Sequence, residues 1–154
     1  MKNIFIVFLM CSALTIYAQK GIVNNGARIV VENGSYIKVQ GDNTTGYTNK
    51  SFGSSHGIIE LDGEIQINGF FNNNASANSV FVNHDGTGSV IFNGSSAQLI
   101  GGSKPIEFEG LKLNGANVNL NTDISVAGVL DFTQGLLFVN NYLLTKGQCH
   151  GFQE

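Results

Sequence analysis

Proline is nearly missing from this chain, which has a single one (Pro105), and tryptophan is absent altogether. Charged residues make up only 12% of it. So little charge, with no window of clustered Lys and Arg, excludes nucleic acid as a partner. Cysteine is as scarce, with only Cys11 and Cys149. Nowhere do apolar residues recur at helical spacing behind a capping signal, which excludes a helical domain.

Glycine and asparagine are abundant instead, with 20 and 19 residues. Both tolerate the left-handed backbone that tight turns require. Between them run Val, Ile, Leu and Phe, the strand formers. Gly/Asn punctuation of apolar β-formers describes many short strands joined by tight turns.

The N-terminus reads as a secretory signal peptide over residues 1–18. Met1-Lys2-Asn3 is a short positive start, Ile4 to Tyr17 is apolar, and Ala18-Gln19 offers a cleavage site. The apolar stretch is shorter than the roughly 20 residues a spanning helix needs, so no stable membrane span is expected after cleavage. Met10 is too bulky for the residue preceding a lipid-modified cysteine, so Cys11 is expected to leave with the signal. What remains is 136 residues with 7 Lys/Arg against 11 Asp/Glu, a net charge of about −4. Cys149 is then the single cysteine, in an irregular tail over 148–154, and no intrachain disulfide can form.

Residues 19–147 break into segments that alternate with period two. Ile37 and Val39 share one face of their segment, with Tyr36, Lys38 and Gln40 on the other. Ile65 and Ile67 do the same, as do Ile106 and Phe108, then Leu111 and Leu113. From Leu111 onward the units begin near residues 111, 118, 124, 129, 136 and 142. That spacing is tighter than the 8–12 residues of antiparallel sandwich strands with their turns. Three units make one repeat of about 18 residues, the kind of fixed period that marks a solenoid. It lays Val118 over Leu136 and Ile124 over Tyr142, while Leu111 needs one position more to meet Leu130. The fold expected is all-β, a right-handed parallel β-helix (β-solenoid) with coils of about 18–22 residues; an antiparallel β-sandwich is the alternative. In a solenoid each coil buries its apolar face only against its neighbours.

Two polar stretches, 42–56 and 72–78, read as loops on this scaffold. Loops on rigid scaffolds are where binding resides. Tyr47 and Phe52 in the first are therefore candidate ligand contacts, suited to stacking on a sugar. Glu107 with Glu109 and Glu60 with Asp62 are the candidate carboxylate pairs for glycoside hydrolysis. Outward charges that keep a solenoid soluble explain both pairs more simply. Asn83-His84-Asp85-Gly86 fails as an EF-hand because Gly94 stands where the twelfth-position Glu belongs. His56, His84 and His150 are isolated, with no pair at metal-ligand spacing. Neither a catalytic residue nor a metal or other cofactor is expected.

The runs Ile22-Val23-Asn24-Asn25-Gly26-Ala27-Arg28-Ile29-Val30-Val31-Glu32-Asn33-Gly34, Gly88-Ser89-Val90-Ile91-Phe92-Asn93-Gly94, Gln98-Leu99-Ile100-Gly101-Gly102 and Ile106 to Asn114, with Val118 through Leu144, carry a family style. Over residues 20–147 the chain resembles large secreted, cell-surface β-helix repeat proteins of Bacteroidetes-type bacteria. The resemblance implies a right-handed parallel β-helix, export to the outer-membrane surface, and adhesin-like or stalk-like use. Partners implied are surface glycans or other cell-surface proteins. Such proteins usually end in a sorting domain for type IX secretion; its absence here implies a truncated product.

Overall fold

The structure, a computed structural model, describes residues 20–77, 80–82 and 87–147. The signal segment 1–18, the tail 148–154 with Cys149 and His150, and Asn83 to Gly86 with His84 lie outside the described residues.

Among the described residues there are seventeen short strands and no helix, and so no helix long and apolar enough to cross a membrane. They follow one another in repeating circuits. The first holds β1 (Ile22–Asn25), β2 (Arg28–Val31) and β3 (Tyr36–Val39). The second holds β4 (Gly46–Phe52), β5 (Ser55–His56), β6 (Ile58–Leu61) and β7 (Glu64–Ile67). β8 (Phe70–Asn73) and β9 (Ser89–Phe92) belong to the third. The fourth comprises β10 (Gln98–Gly102), β11 (Ile106–Phe108) and β12 (Leu111–Asn114). The fifth comprises β13 (Val118–Leu120), β14 (Ile124–Val126) and β15 (Leu130–Gln134), and the last β16 (Leu137–Phe138) and β17 (Leu144–Lys146).

Each strand pairs with its counterpart one circuit on. Sheet one runs β1-β4-β8-β10-β13-β16. Sheet three runs β3-β7-β9-β12-β15. The middle position forms two shorter sheets, β2-β6 and β11-β14-β17. Between them the third circuit contributes a parallel bridge from Phe81 to Ile59. All these ladders are parallel, and only β4 with β5 is antiparallel. The chain is thus all-β with parallel sheets, and the antiparallel sandwich alternative does not hold.

Parallel register stacks like upon like. In sheet three one inward column is Ile37, Ile65, Val90, Leu111 and Leu130, and a second is Val39, Ile67, Phe92, Leu113 and Phe132. In sheet one the column is Ile22, Tyr47, Phe71, Ile100 and Leu120. The interior members are almost wholly excluded from water and form one core cluster. Around Phe71 the core is aromatic: Tyr47 stacks on it at 4.7 Å, and Phe108 meets it edge-on at 5.4 Å.

The expected repeat is corrected in two places. Val118 lies against Leu137 rather than Leu136, and Ile124 against Leu144 rather than Tyr142. The pairing of Leu111 with Leu130 is as expected. The added residues sit where the chain bends. β12 and β15 slip by one residue as Asn114 meets Gln134. Beyond β16, Asn140 takes a left-handed conformation (φ 57°), and its Nδ2 donates to the Leu120 carbonyl at 3.0 Å.

Candidate functional site

The stretch 42–56 is not a loop. After a turn in which Asp42 Oδ1 accepts from Thr44 N (2.8 Å), Thr44 Oγ1 (2.7 Å) and Thr45 Oγ1 (3.0 Å), the chain enters β4 and returns as β5. Those hydrogen bonds, aided by nearby Lys20, hold the Asp42 carboxyl at about 2. β4 and β5 make a hairpin whose tip turns at Gly53, with φ 61° and open space around its Cα.

This rearranges the two candidate ligand contacts. Tyr47 belongs to sheet one and is only 1% exposed, so the structure corrects its reading as a ligand-contacting loop residue. Burial against Phe71 removes its ring from any ligand and pushes the phenol up to about 12, with the Asn24 side chain opposing the shift. Phe52 sits beside the hairpin tip, 72% exposed. The stretch 72–78 is corrected in part as well: Asn72 and Asn73 close β8, and Asn78 lies outside the described residues.

Below Phe52 the hairpin overhangs the outer face of β2 and β6. A groove of about 470 Å³ lies there, lined by Gly26, Arg28, Ser54, Ser55, His56, Ile58 and Val82. Arg28 on β2 is ion-paired with Glu60, two residues along β6 from Ile58, its register partner. Exposed Val30 adds apolar surface to the same face. Hydroxyls, an imidazole and a guanidinium beside an exposed phenyl ring make a surface that can hold a hydroxyl-rich chain.

A second groove, of about 390 Å³, runs along the corner into sheet three. Asn33, Tyr36, Asp62, Glu64 and Thr87 are among its lining residues. Tyr36 and Glu64 are register partners on adjacent strands, and Tyr36 is 65% exposed. The candidate carboxylate pairs do not face each other as pairs. Glu60 is taken up by Arg28 on one face, while Asp62 turns the corner into the second groove. Glu107 is exposed on β11, whereas Glu109 is fully buried just past its end. Lys112 pairs with Asp131 at 3.4 Å. Among the described residues, no three His, Cys, Asp or Glu come together as a metal site.

Sequence reasoning missed an inward column of asparagines. Asn24, Asn49 and Asn73 are register partners in sheet one, all buried. Asn49 Nδ2 donates to the Gly57 carbonyl at 2.8 Å and reaches Asn73 Oδ1 at 3.4 Å. Asn24 Oδ1 accepts from Ala27 N at 2.9 Å, and Asn73 Nδ2 donates to the Pro105 carbonyl at 3.1 Å. The side chains satisfy the backbone where the chain leaves sheet one for the next sheet. Gly102 holds this place in the fourth circuit. In the fifth it falls to Thr122, whose Oγ1 donates to the Lys104 carbonyl at 3.2 Å. Gly57 has to lack a side chain, because a Cβ there would overlap Asn49 Oδ1. The signal was present in the sequence as the near-even recurrence of Asn24, Asn49 and Asn73.

Comparison of the chain with protein-family models, with curated proteins and with solved structures finds no match.

Proposed function

We propose that this chain is a segment of an exported, non-enzymatic surface scaffold, an adhesin-like spacer built as a right-handed parallel β-helix. The observation that carries the reading is the cyclic order in which the strands revisit the same sheets with their columns in register. A stack of that kind is quasi-one-dimensional: each circuit contacts only its neighbours, and length grows by one strand spacing per circuit. The right hand follows from the chirality of parallel crossovers, right-handed in about 98% of cases. Export rests on the Met1–Ala18 signal pattern and surface use on the family style of the repeats. The test is to digest intact producing cells with protease and sequence the N-terminus of the released or exported protein. A mature start at Gln19 and protease-accessible peptides support the reading; a protein retained inside the cell with Met1 intact would reject it.

A second reading, an exported polysaccharide-binding β-helix, is favoured by Phe52 standing exposed beside the flank groove. An aromatic face with hydroxyl and charged neighbours suits a sugar ring. Binding to a glycan array that is lost in Phe52→Ala would move the assignment from spacer to glycan binder.

A further inference from the structure

Asparagine is followed directly by glycine at five places, Asn25-Gly26, Asn33-Gly34, Asn68-Gly69, Asn93-Gly94 and Asn114-Gly115. Such a pair can modify itself, because glycine has no side chain to keep its nitrogen from the asparagine amide carbon. The chemistry is common to all five, and the fold sets them apart. We propose that Asn33-Gly34, on the turn between β2 and β3, is a self-modification site. There the protein converts its own asparagine to aspartate and isoaspartate, adding a carboxylate to the second groove.

Ser35 N donates to the Glu32 carbonyl at 3.0 Å, closing a turn with Asn33 and Gly34 at its centre. Gly34 has φ 77°, the left-handed value that the third residue of a type II turn requires. Asn33 is exposed, and beyond the chain neighbours no atom lies within 4 Å of where a Gly34 Cβ would stand. The peptide between them has room to rotate until the Gly34 nitrogen meets Asn33 Cγ. The nitrogen bonds to Cγ and gives up its proton, the Cγ–Nδ2 bond breaks, and ammonia leaves with that proton. A cyclic succinimide remains. Water then adds at one or other of its two carbonyl carbons and opens the ring to aspartate or isoaspartate. Either product carries a carboxylate where the amide was neutral. Asn33 lines the second groove with Asp62 and Glu64, so the new charge joins two carboxyl side chains there.

The other four pairs are held. Asn68, Asn93 and Asn114 stand at the same corner of successive circuits, at the ends of β7, β9 and β12. Gly94 N donates to Gln98 Oε1 at 2.8 Å, so the attacking nitrogen is occupied. Gln98 is 3% exposed and is itself fixed by donating to the Ile67 and Gly69 carbonyls at 2.8 and 3.0 Å. A Cβ on Gly69 would overlap the Thr45 carbonyl, and one on Gly115 would stand 2.5 Å from the Gly94 carbonyl oxygen. Backbone bonds between circuits run through the same corner, from Asn68 N to the Val39 carbonyl and from Ala116 N to the Gly94 carbonyl. At Asn25-Gly26 the glycine packs under the β4–β5 hairpin, where a Cβ would stand 3.1 Å from that of Phe52. Each of these four must open locally before its peptide can turn. The inference stands on the turn and the stacked corners and is independent of where the chain is exported.

The test is peptide mass mapping of the exported full chain during incubation at mildly alkaline pH, with anion-exchange chromatography of the intact protein. The Asn33 peptide is expected to lose ammonia and then to take up water. It is expected to do so ~10-fold faster than any of the other four pairs, since only they require local opening. The intact protein gains negative charge in step, and Asn33→Gln is expected to abolish that early acidic form. Unfolded in urea, all five pairs are expected to react at similar rates. Three results overturn the proposal: an Asn33 rate no faster than that of Asn93 in the folded chain, a folded-chain order that persists in urea, or an early acidic form that survives Asn33→Gln.

Discussion

In the first three circuits the chain travels far before it returns to the same place, from Ile22 to Tyr47 in sheet one and from Arg28 to Ile58 in the middle sheet. From the fourth circuit onward the return is short, from Gln98 to Val118, from Leu111 to Leu130 and from Ile124 to Leu144. The wide circuits hold the β4–β5 hairpin, the buried asparagine column and the stacked aromatics Tyr47 and Phe71. Apart from Phe108, which joins that aromatic cluster from the fourth circuit, the narrow circuits bury mainly aliphatic side chains at tight corners, and the far end leaves Phe132, Phe138, Leu136 and Leu143 partly in water. The same parallel ladders thus support two ways of filling the interior. In the wide half, polar side chains satisfy the corners and large rings fill the space between sheets. In the narrow half, backbone bonds between successive corners do most of that work, as from Ala127 N to the Phe108 carbonyl at 2.9 Å.

The sharpest way to break the contrast is at its centre. Phe71→Ala removes a fully buried ring that touches Tyr47, Phe81 and Phe108, and is expected to destabilise the fold by about 3–5 kcal/mol. Phe132→Ala, near the far end, is expected to remove less than about 1.5 kcal/mol, because half of its ring is already in water. Urea titration of both variants measures the difference directly. Equal losses would erase the distinction between the halves.

The asparagine column comes next. Asn49→Ala leaves the Gly57 carbonyl without its donor in a dry interior, an expected loss of about 2–3 kcal/mol in the same titration. Thr122→Ala, at the equivalent place in the fifth circuit and with one hydrogen bond, is expected to lose about 1 kcal/mol.

Alkaline pH separates the halves without mutation. Tyr47 is raised to about 12 by burial, so the fold disfavours its anion. Its stabilising preference is fully present below the ordinary tyrosine value near 10 and is lost as pH rises toward 12. Melting temperature is expected to fall over that interval in wild type and to fall less in Tyr47→Phe. The smallest effect lies at the entry turn of β4. Asp42, held at about 2 by the Thr44 and Thr45 hydrogen bonds, stabilises the fold above the ordinary carboxylate value of 3.8 and loses that as pH falls toward 2. Asp42→Ala is expected to flatten the acid limb of the stability profile slightly, read by circular dichroism at the melting midpoint.

The comparison also explains what could be read from the chain alone. Ile37 with Val39, Ile65 with Ile67, and Ile106 with Phe108 alternate cleanly, and all six side chains face inward in their strands. The short repeat was legible only in the narrow half, and there it ran one position short at Val118 and two at Ile124. Periodicity marks faces but does not count the residues that a bulge or the Asn140 turn adds at a corner. In the wide half the inward residues of β4 are Tyr47 and Asn49, which read as loop because neither is aliphatic. Only the register to Phe71 and Asn73 shows that they are interior, since a buried asparagine is tolerable where fixed backbone groups meet its amide. Of the two candidate contacts, Phe52 keeps an exposed position and Tyr47 does not.

Disulfide trapping tests the in-register parallel stack most directly. Thr48 and Asn72 are outward-facing register partners on the adjacent strands β4 and β8. Thr48→Cys with Asn72→Cys is expected to close a disulfide readily in the folded chain, located by peptide mass mapping, since neighbouring parallel Cα atoms lie within bridging distance. Thr48→Cys with Lys38→Cys, on different sheets, is the control. A crosslink in the first pair no faster than in the control would contradict it.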